Sequence, residues 1–300
     1  MNSCQSHRSW DQLDEFTLLQ LLKRGASAAE CVRALPGRTP TAVAVKRAHL
    51  KKQFWTWGKK HREKRVQVLR EWLGTYRPLH VLECFAGKAA ATIEYALIAQ
   101  DVLAAEMNGA LFGRAKAKLR HFQNVKLVNL CAERLLLRLC AESHQEQFDW
   151  VDLDPFGSGG HLVPLAVRLM HAGHVALTLT EPQLFRFHSK DALFCKYPLP
   201  LNIFSRSTRE QIGYLLGWII FDSTRYTFWR DRKLVNRPKI VTPVRLETYG
   251  GLDGRIARVL FEVREAQSVR ELRSHLYDGL SLFSNRDGLP YLDIAKVSKG

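Results

Sequence analysis

Leu79-His80-Val81-Leu82-Glu83-Cys84-Phe85-Ala86-Gly87-Lys88 reads as a short apolar strand that runs out into a glycine turn. A helical pattern follows over residues 89–99. Asp101-Val102-Leu103-Ala104-Ala105-Glu106 is a second strand with an acid at its end. Residues 108–119 predict a second helix and residues 125–130 a third strand. Strand alternating with helix implies a parallel sheet with helices on its faces and a ligand at the strands' carboxyl ends. The glycine lets backbone approach that ligand, and an acid after the second strand suits a ribose diol. A dinucleotide-dependent dehydrogenase would need a full G-x-G-x-x-G here, and the chain lacks one.

The fourth strand leads into Asp149-Trp150-Val151-Asp152-Leu153-Asp154-Pro155-Phe156-Gly157-Ser158. Asp152 and Asp154 alternate with apolar Val151 and Leu153, so on a strand both carboxylates share one face. Pro155 fixes its own φ and holds Asp154 extended. Phe156 adds an aromatic plate, and Gly157 with Gly159-Gly160 turns the chain away. A rigid acidic tip of this kind can hold an amino group on a flat ring. An ordinary strand-to-loop exit uses the same residue types.

Glu83, Phe85, Ala86 and Gly87 together resemble the first-strand signature of class I S-adenosylmethionine (SAM)-dependent methyltransferases. The resemblance implies a Rossmann-like α/β sheet that binds SAM, with Glu106 on the ribose and Ala132 near the adenine. Ala89 stands where that family has a second glycine, and Cys131 where it often has Asp. Asp152-Leu153-Asp154-Pro155-Phe156-Gly157 resembles the motif of the tRNA guanine-N2 dimethyltransferase family. That likeness implies catalytic roles for Asp154, Pro155, Phe156 and Asp152. Residues 128–136 and 213–217 are similar to further segments of that family, in the same order. Residues 54–65 are similar more loosely.

The N-terminal stretch predicts three helices, over residues 8–23, 28–35 and from Thr39-Pro40 onward. Trp10, the Leu18–Leu22 cluster, Leu35-Pro36-Gly37-Arg38-Thr39, Ala42-Val43 and Lys46-Arg47 resemble a Myb/SANT-like helix-turn-helix. That family places its third helix in DNA or docks on protein. Nine Lys or Arg lie between Lys46 and Arg65, around Phe54, Trp55 and Trp57. Cations meet phosphates and aromatics stack on exposed bases, so Lys46, Arg47, Lys51, Lys52, Trp55, Trp57, Lys59, Lys60 and Arg62 are candidate nucleic-acid contacts. Gly58 is a candidate helix break between the two basic blocks. Val66, Leu69 and Trp72 predict a helix that docks on the next domain.

The 300 residues carry 45 Lys plus Arg against 29 acids, a formal charge of +16. Such a balance favours a polyanionic partner, RNA first and DNA second. Six cysteines form no CxxC pair, which points to reduced intracellular thiols rather than disulfides or a metal centre. No run of 18 apolar residues suggests a membrane span. Residues 175–180 predict a fifth strand ending at Glu181-Pro182, and residues 184–206 a substrate-side loop with Arg186, His188 and Lys190. A helix over 209–228 precedes two strands, 239–249 and 255–265, joined by Gly250-Gly251-Leu252-Asp253-Gly254, a hairpin signal.

The chain therefore divides into a three-helix module (1–52), a basic aromatic linker and docking helix (53–75), a methyltransferase domain (76–266) and a C-terminal helix and tail (267–300). The expected activity is methyl transfer from SAM to an exocyclic amine of a nucleobase, guanine N2 in RNA foremost. A DNA adenine or cytosine amino-methyltransferase and an inactive nucleic-acid-binding subunit are the alternatives.

Overall fold

The structure is a computed structural model. It describes residues 10, 14, 17–18, 21–22, 26–142, 148–155, 159–179, 193–194, 196–200, 202–228, 238–249, 256–276, 290–293 and 297, and only the backbone of 49, 51–65, 225–228, 249, 256 and 269. Two compact units divide at Arg65/Val66.

In the first unit, Ser27 caps helix α1 (Ala28–Arg33) through a reciprocal capping box with Glu30. The Thr39 hydroxyl accepts from the Ala42 N–H at the start of α2 (Pro40–Tyr76). Leu18, Leu21, Cys31, Leu35, Val43 and Leu50 form the core, with Trp10 packed against it. Helix α2 runs on through Gly58 without the expected break. One glycine costs a helix only about 1 kcal/mol, which a helix of 37 residues absorbs. The helix thus crosses the expected module boundary at residue 52. Its last turns, from Val66, belong to the second unit, where Leu69 and Trp72 are buried as the docking pattern requires.

The second unit is a seven-stranded sheet: β1 (His80–Glu83), β2 (Asp101–Ala105), β3 (Val125–Val128), β4 (Phe148–Leu153), β5 (Met170–Leu179), β6 (Lys239–Tyr249) and β7 (Ile256–Glu265). The order is β3-β2-β1-β4-β5-β7-β6. The first five strands are parallel, and β7 pairs antiparallel with both β5 and β6. The fifth strand starts at Met170, five residues before the sequence pattern places it. Helices α3 (Ala90–Ala96), α4 (Gly109–Leu119), α5 (Ala132–Glu142), α6 (Val163–Arg168), α7 (Thr208–Phe228) and α8 (Val269–Ser274) follow in chain order.

The two faces of the sheet differ. Leu82, Cys84, Val151, Leu153, Val175, Leu177, Val259 and Phe261 point to one face, into an apolar core shared with α5, α6 and α7. Glu83, Asp152, Thr178 and Arg258 point to the other and are buried polar groups. The expected separate tail is not separate. Leu292 and Val297 join the apolar core, and the Leu292 N–H donates to the Gly213 carbonyl of α7.

Register between β4 and β5 shifts at Phe148/Trp150, which brings Asp152 opposite Ala176. Gly173 allows this shift. Its φ is +142°, and a Cβ there would lie 2.0 Å from the Asp149 carbonyl oxygen. The Asp149 carboxylate in turn accepts the N–H groups of Leu79 and His80, tying the entry of β1 to β4. A Gly173→Ala substitution is expected to lower stability by about 3 kcal/mol, the upper range for a forced backbone conformation. Urea unfolding checks this, and an unchanged midpoint contradicts it.

Candidate active site

Strand order reverses between β1 and β4, the crevice where open α/β sheets hold ligands. Four loops meet at this edge: Cys84–Gly87 after β1, Glu106 after β2, Cys131-Ala132 after β3 and Asp154-Pro155 after β4.

The first two loops are stapled by one carboxylate. Glu106 accepts from the Gly87 N–H at 2.8 Å through Oε2 and from the Asn108 N–H at 2.7 Å through Oε1. Each oxygen keeps a second lone pair for a ligand hydroxyl. Asn108 caps α4, and the Asn129 amide donates to the Glu106 carbonyl at 2.6 Å, so the acid is held from both sides. Gly87 has φ +56°, and a Cβ there would meet only the Phe85 carbonyl oxygen, at 3.9 Å. The space above that glycine is open. Ala89 has φ +63° and is fully buried against Ala115 and Leu119. The departure from glycine therefore places an L-residue in the left-handed region, at a cost of roughly 1–2 kcal/mol, offset in part by methyl burial. Ala86 is buried, and Phe85 packs against the apolar core. Ala132 opens α5, and the Cys131 sulfur accepts the Arg134 N–H at 3.5 Å, a capping role.

Below the fourth loop lies a buried polar network. The Tyr95 hydroxyl donates to Asp152 Oδ2 at 2.6 Å and accepts from Trp150 Nε1 at 3.0 Å. Arg258 reaches from β7 past β5 to donate to the same Asp152 oxygen at 2.9 Å and to the Thr178 hydroxyl at 3.1 Å. Its guanidinium lies 5.6 Å from the centre of the Trp72 ring. Asp152 and Arg258 are 1% and 2% exposed, so Asp152 lies beneath the tip, in position to support Asp154. Its Oδ2 is committed to the network. Asp154 is half-buried at the tip and Pro155 is buried, as the extended Asp-Pro pair requires.

Glu83 pairs in register with Asp152 and is 4% exposed. Its Oε2 and Asp152 Oδ1 accept no hydrogen bond from any described residue. Burial first, then the charges of Asp152 and Asp154, push the Glu83 carboxyl up to about 8, with Thr92 and Arg258 holding it down in part. Burial also raises Asp152, against the opposing pull of Arg258 and Tyr95. Two buried carboxyls beside one guanidinium do not both ionise. Near neutral pH Asp152 is the anion paired with Arg258, and Glu83 holds a proton. The Cys84 thiol is pushed well up by burial and these neighbours, which makes it inert.

Some expected contacts lie elsewhere. The Lys46 ammonium lies 5.6 Å from the Trp10 ring, and Arg47 donates to the Ala26 carbonyl at 3.1 Å. Both half-buried cations also make contacts within the first unit. The side chains of Lys51, Lys52, Trp55, Trp57, Lys59, Lys60 and Arg62 lie outside the described residues, as do Phe156, Arg186, His188 and Lys190. Tyr95, Thr92, Thr178 and Arg258 were missed. Arg258 carries a signal, because it interrupts the apolar run Ile256-Ala257-Arg258-Val259-Leu260-Phe261. Among the described residues no cluster of His, Cys, Asp or Glu is arranged to hold a metal ion.

The Glu83 carboxyl gives a test by pH. Its folded value near 8 lies above the unfolded value near 4.5. The folded chain therefore keeps a proton that the unfolded chain releases, and stability falls as pH rises through that window. Glu83→Gln removes the effect. The variant should gain on wild type between pH 5 and 8 by on the order of 3–5 kcal/mol. Parallel pH slopes in urea unfolding would count against the buried proton.

No protein-family model matches the chain. The tRNA (guanine(26)-N(2))-dimethyltransferase of Methanocaldococcus jannaschii is 31% identical over 113 residues, which is 37% of this chain and 29% of the relative. Among solved structures, Trm1 from Pyrococcus horikoshii in complex with S-adenosyl-L-methionine superposes with a TM-score of 0.54 at 17% identity. The superposition covers 71% of this chain and 56% of Trm1, so the chain spans little more than half of that protein. With its β3-β2-β1-β4-β5-β7-β6 sheet, the second unit has the class I methyltransferase fold.

Proposed function

We propose that the chain is a SAM-dependent methyltransferase acting on an exocyclic amine of a nucleobase, with guanine N2 in a tRNA-like RNA as the acceptor. The observation that carries this reading is the Asp154-Pro155 tip at the switch point, beside the Glu83, Gly87 and Glu106 edge. The activity of the Methanocaldococcus jannaschii relative, and the cofactor bound to Trm1, support the acceptor and the donor.

The residues present fit SAM. Gly87 leaves an open cradle where a side chain would otherwise stand, and Glu106 has lone pairs free for a ribose. Glu83 Oε2 is a buried polar atom next to the loop that meets no hydrogen-bond partner among the described residues. Ala132, at the start of α5, borders the space where the adenine would lie. When bound, SAM supplies an electrophilic methyl group on a sulfonium.

The protein's work is to aim the amine. Its lone pair is delocalised into the ring, so it attacks poorly unless oriented. The Asp154 carboxylate and the Pro155 carbonyl accept the two amine hydrogens, which points the nitrogen at the methyl and offsets the positive charge that grows on it. Phe156 stacks on the flipped base. Asp152 acts one layer down: fixed by Arg258 and Tyr95, it holds the strand end from which Asp154 projects.

SAM calorimetry followed by transfer of labelled methyl to tRNA tests the reading. Asp154→Ala should bind SAM within a few-fold of wild type and lose at least about 10²-fold in transfer, the size of one oriented charge-stabilising group. N2-methylated guanosine is the nucleoside expected by mass spectrometry. Methylated adenine or cytosine would move the acceptor assignment, and absence of SAM binding would overturn the enzyme.

A further inference from the structure

Helix α4 carries an unbalanced charge. No Asp or Glu occurs between Met107 and Ala132, whereas Arg114, Lys116, Lys118 and Arg120 fall within or just after the helix. Ala115 and Leu119 point inward and are buried against Ala89. The i, i+4 geometry then sets Arg114 with Lys118 along one flank and Lys116 with Arg120 along the other. All four are exposed. The Lys118 ammonium donates to the Lys88 carbonyl at 3.0 Å, which places exposed Lys88 beside this flank.

Several exposed cations elsewhere on this unit are paired with acids. Arg70 binds Glu94 at 2.7 Å, Arg138 binds Glu142 at 2.6 Å and Arg264 binds Glu271 at 2.6 Å. On α4, Lys118 meets a carbonyl and Arg120 meets the neighbouring His121 ring at 2.8 Å. Neither contact supplies a negative charge. Exposed like charges one turn apart repel by a few tenths of a kcal/mol; Lys116 and Lys118 in the last turn offset this against the helix dipole, but Arg114 has no such compensation. A polyanion gains, since each phosphate that a cation neutralises releases counterions.

Position names the polyanion. Lys88 directly follows Gly87, and α4 begins three residues after Glu106, so the basic face is joined to two loops of the pocket. A base entering that pocket brings its flanking phosphates along such a face. We infer that the exposed row Lys88–Arg114–Lys118, with Lys116 and Arg120 beside it, binds the phosphate backbone of the acceptor RNA. This rests on the function proposed above.

The experiment measures tRNA binding to the full chain by fluorescence anisotropy across a salt series, with duplex DNA of matched length alongside. Replacing Arg114, Lys116, Lys118 and Arg120 by Gln keeps helix propensity. It should lower the slope of log K against log salt by about 2–4, near one for each lost phosphate contact. Arg134→Gln with Arg138→Gln on α5, also exposed, should leave the slope unchanged. SAM calorimetry on both variants checks that the pocket is intact. A wild-type slope in the α4 variant, or an equal loss in the α5 variant, overturns the site while leaving the proposed function standing. Tighter binding of duplex DNA than of tRNA overturns the assignment to RNA. Absence of binding to either polymer by wild type overturns both proposals.

Discussion

The Arg258–Asp152 pair is the constraint on which the edge of the sheet depends. A guanidinium and a carboxylate are both withdrawn from water, and each is tolerable only because the other is there. Their geometry ties β7 to β4 across the intervening β5, with Tyr95 of α3 and Trp72 of α2 closing over them. Removing one partner would leave a buried charge, a loss of roughly 3–5 kcal/mol. The pair also fixes chemistry. By keeping Asp152 anionic it leaves the neighbouring Glu83 as the acid that holds a proton, and it anchors the strand end that presents Asp154.

The cofactor side is built with few groups. Glu106 staples the glycine turn to the cap of α4 with two backbone hydrogen bonds, yet keeps lone pairs for a ligand. Ala89 shows how a departure from a family pattern can be absorbed. Its backbone adopts the conformation that glycine would, and its methyl is buried in a small apolar cluster. The turn keeps its shape, so the loss of a glycine there does not close the crevice.

Charge on this molecule is divided by role. In the first unit, Lys46 lies over an aromatic ring and Arg47 donates to a carbonyl, so these two cations have contacts within the chain. On α4 the cations find no acid among the described residues. Counting charges along a chain cannot separate these cases, because the distinction lies in what each side chain packs against.

The sequence by itself determined the alternation of strands and helices, the hairpin that completes the sheet, the capping of α1 by Ser27 and the placing of Glu83, Gly87, Glu106 and Asp154 at strand ends. These follow from local periodicity and turn chemistry, which a chain carries in consecutive residues. Only the tertiary structure decided that Asp152 is buried and paired, because its partner Arg258 stands 106 residues away. The same holds for the buried proton on Glu83, which depends on a neighbouring strand, and for Leu292 and Val297, which the chain's end returns to the core. Burial and the dielectric it imposes are properties of contacts distant in sequence, and no spacing rule within one segment reports them.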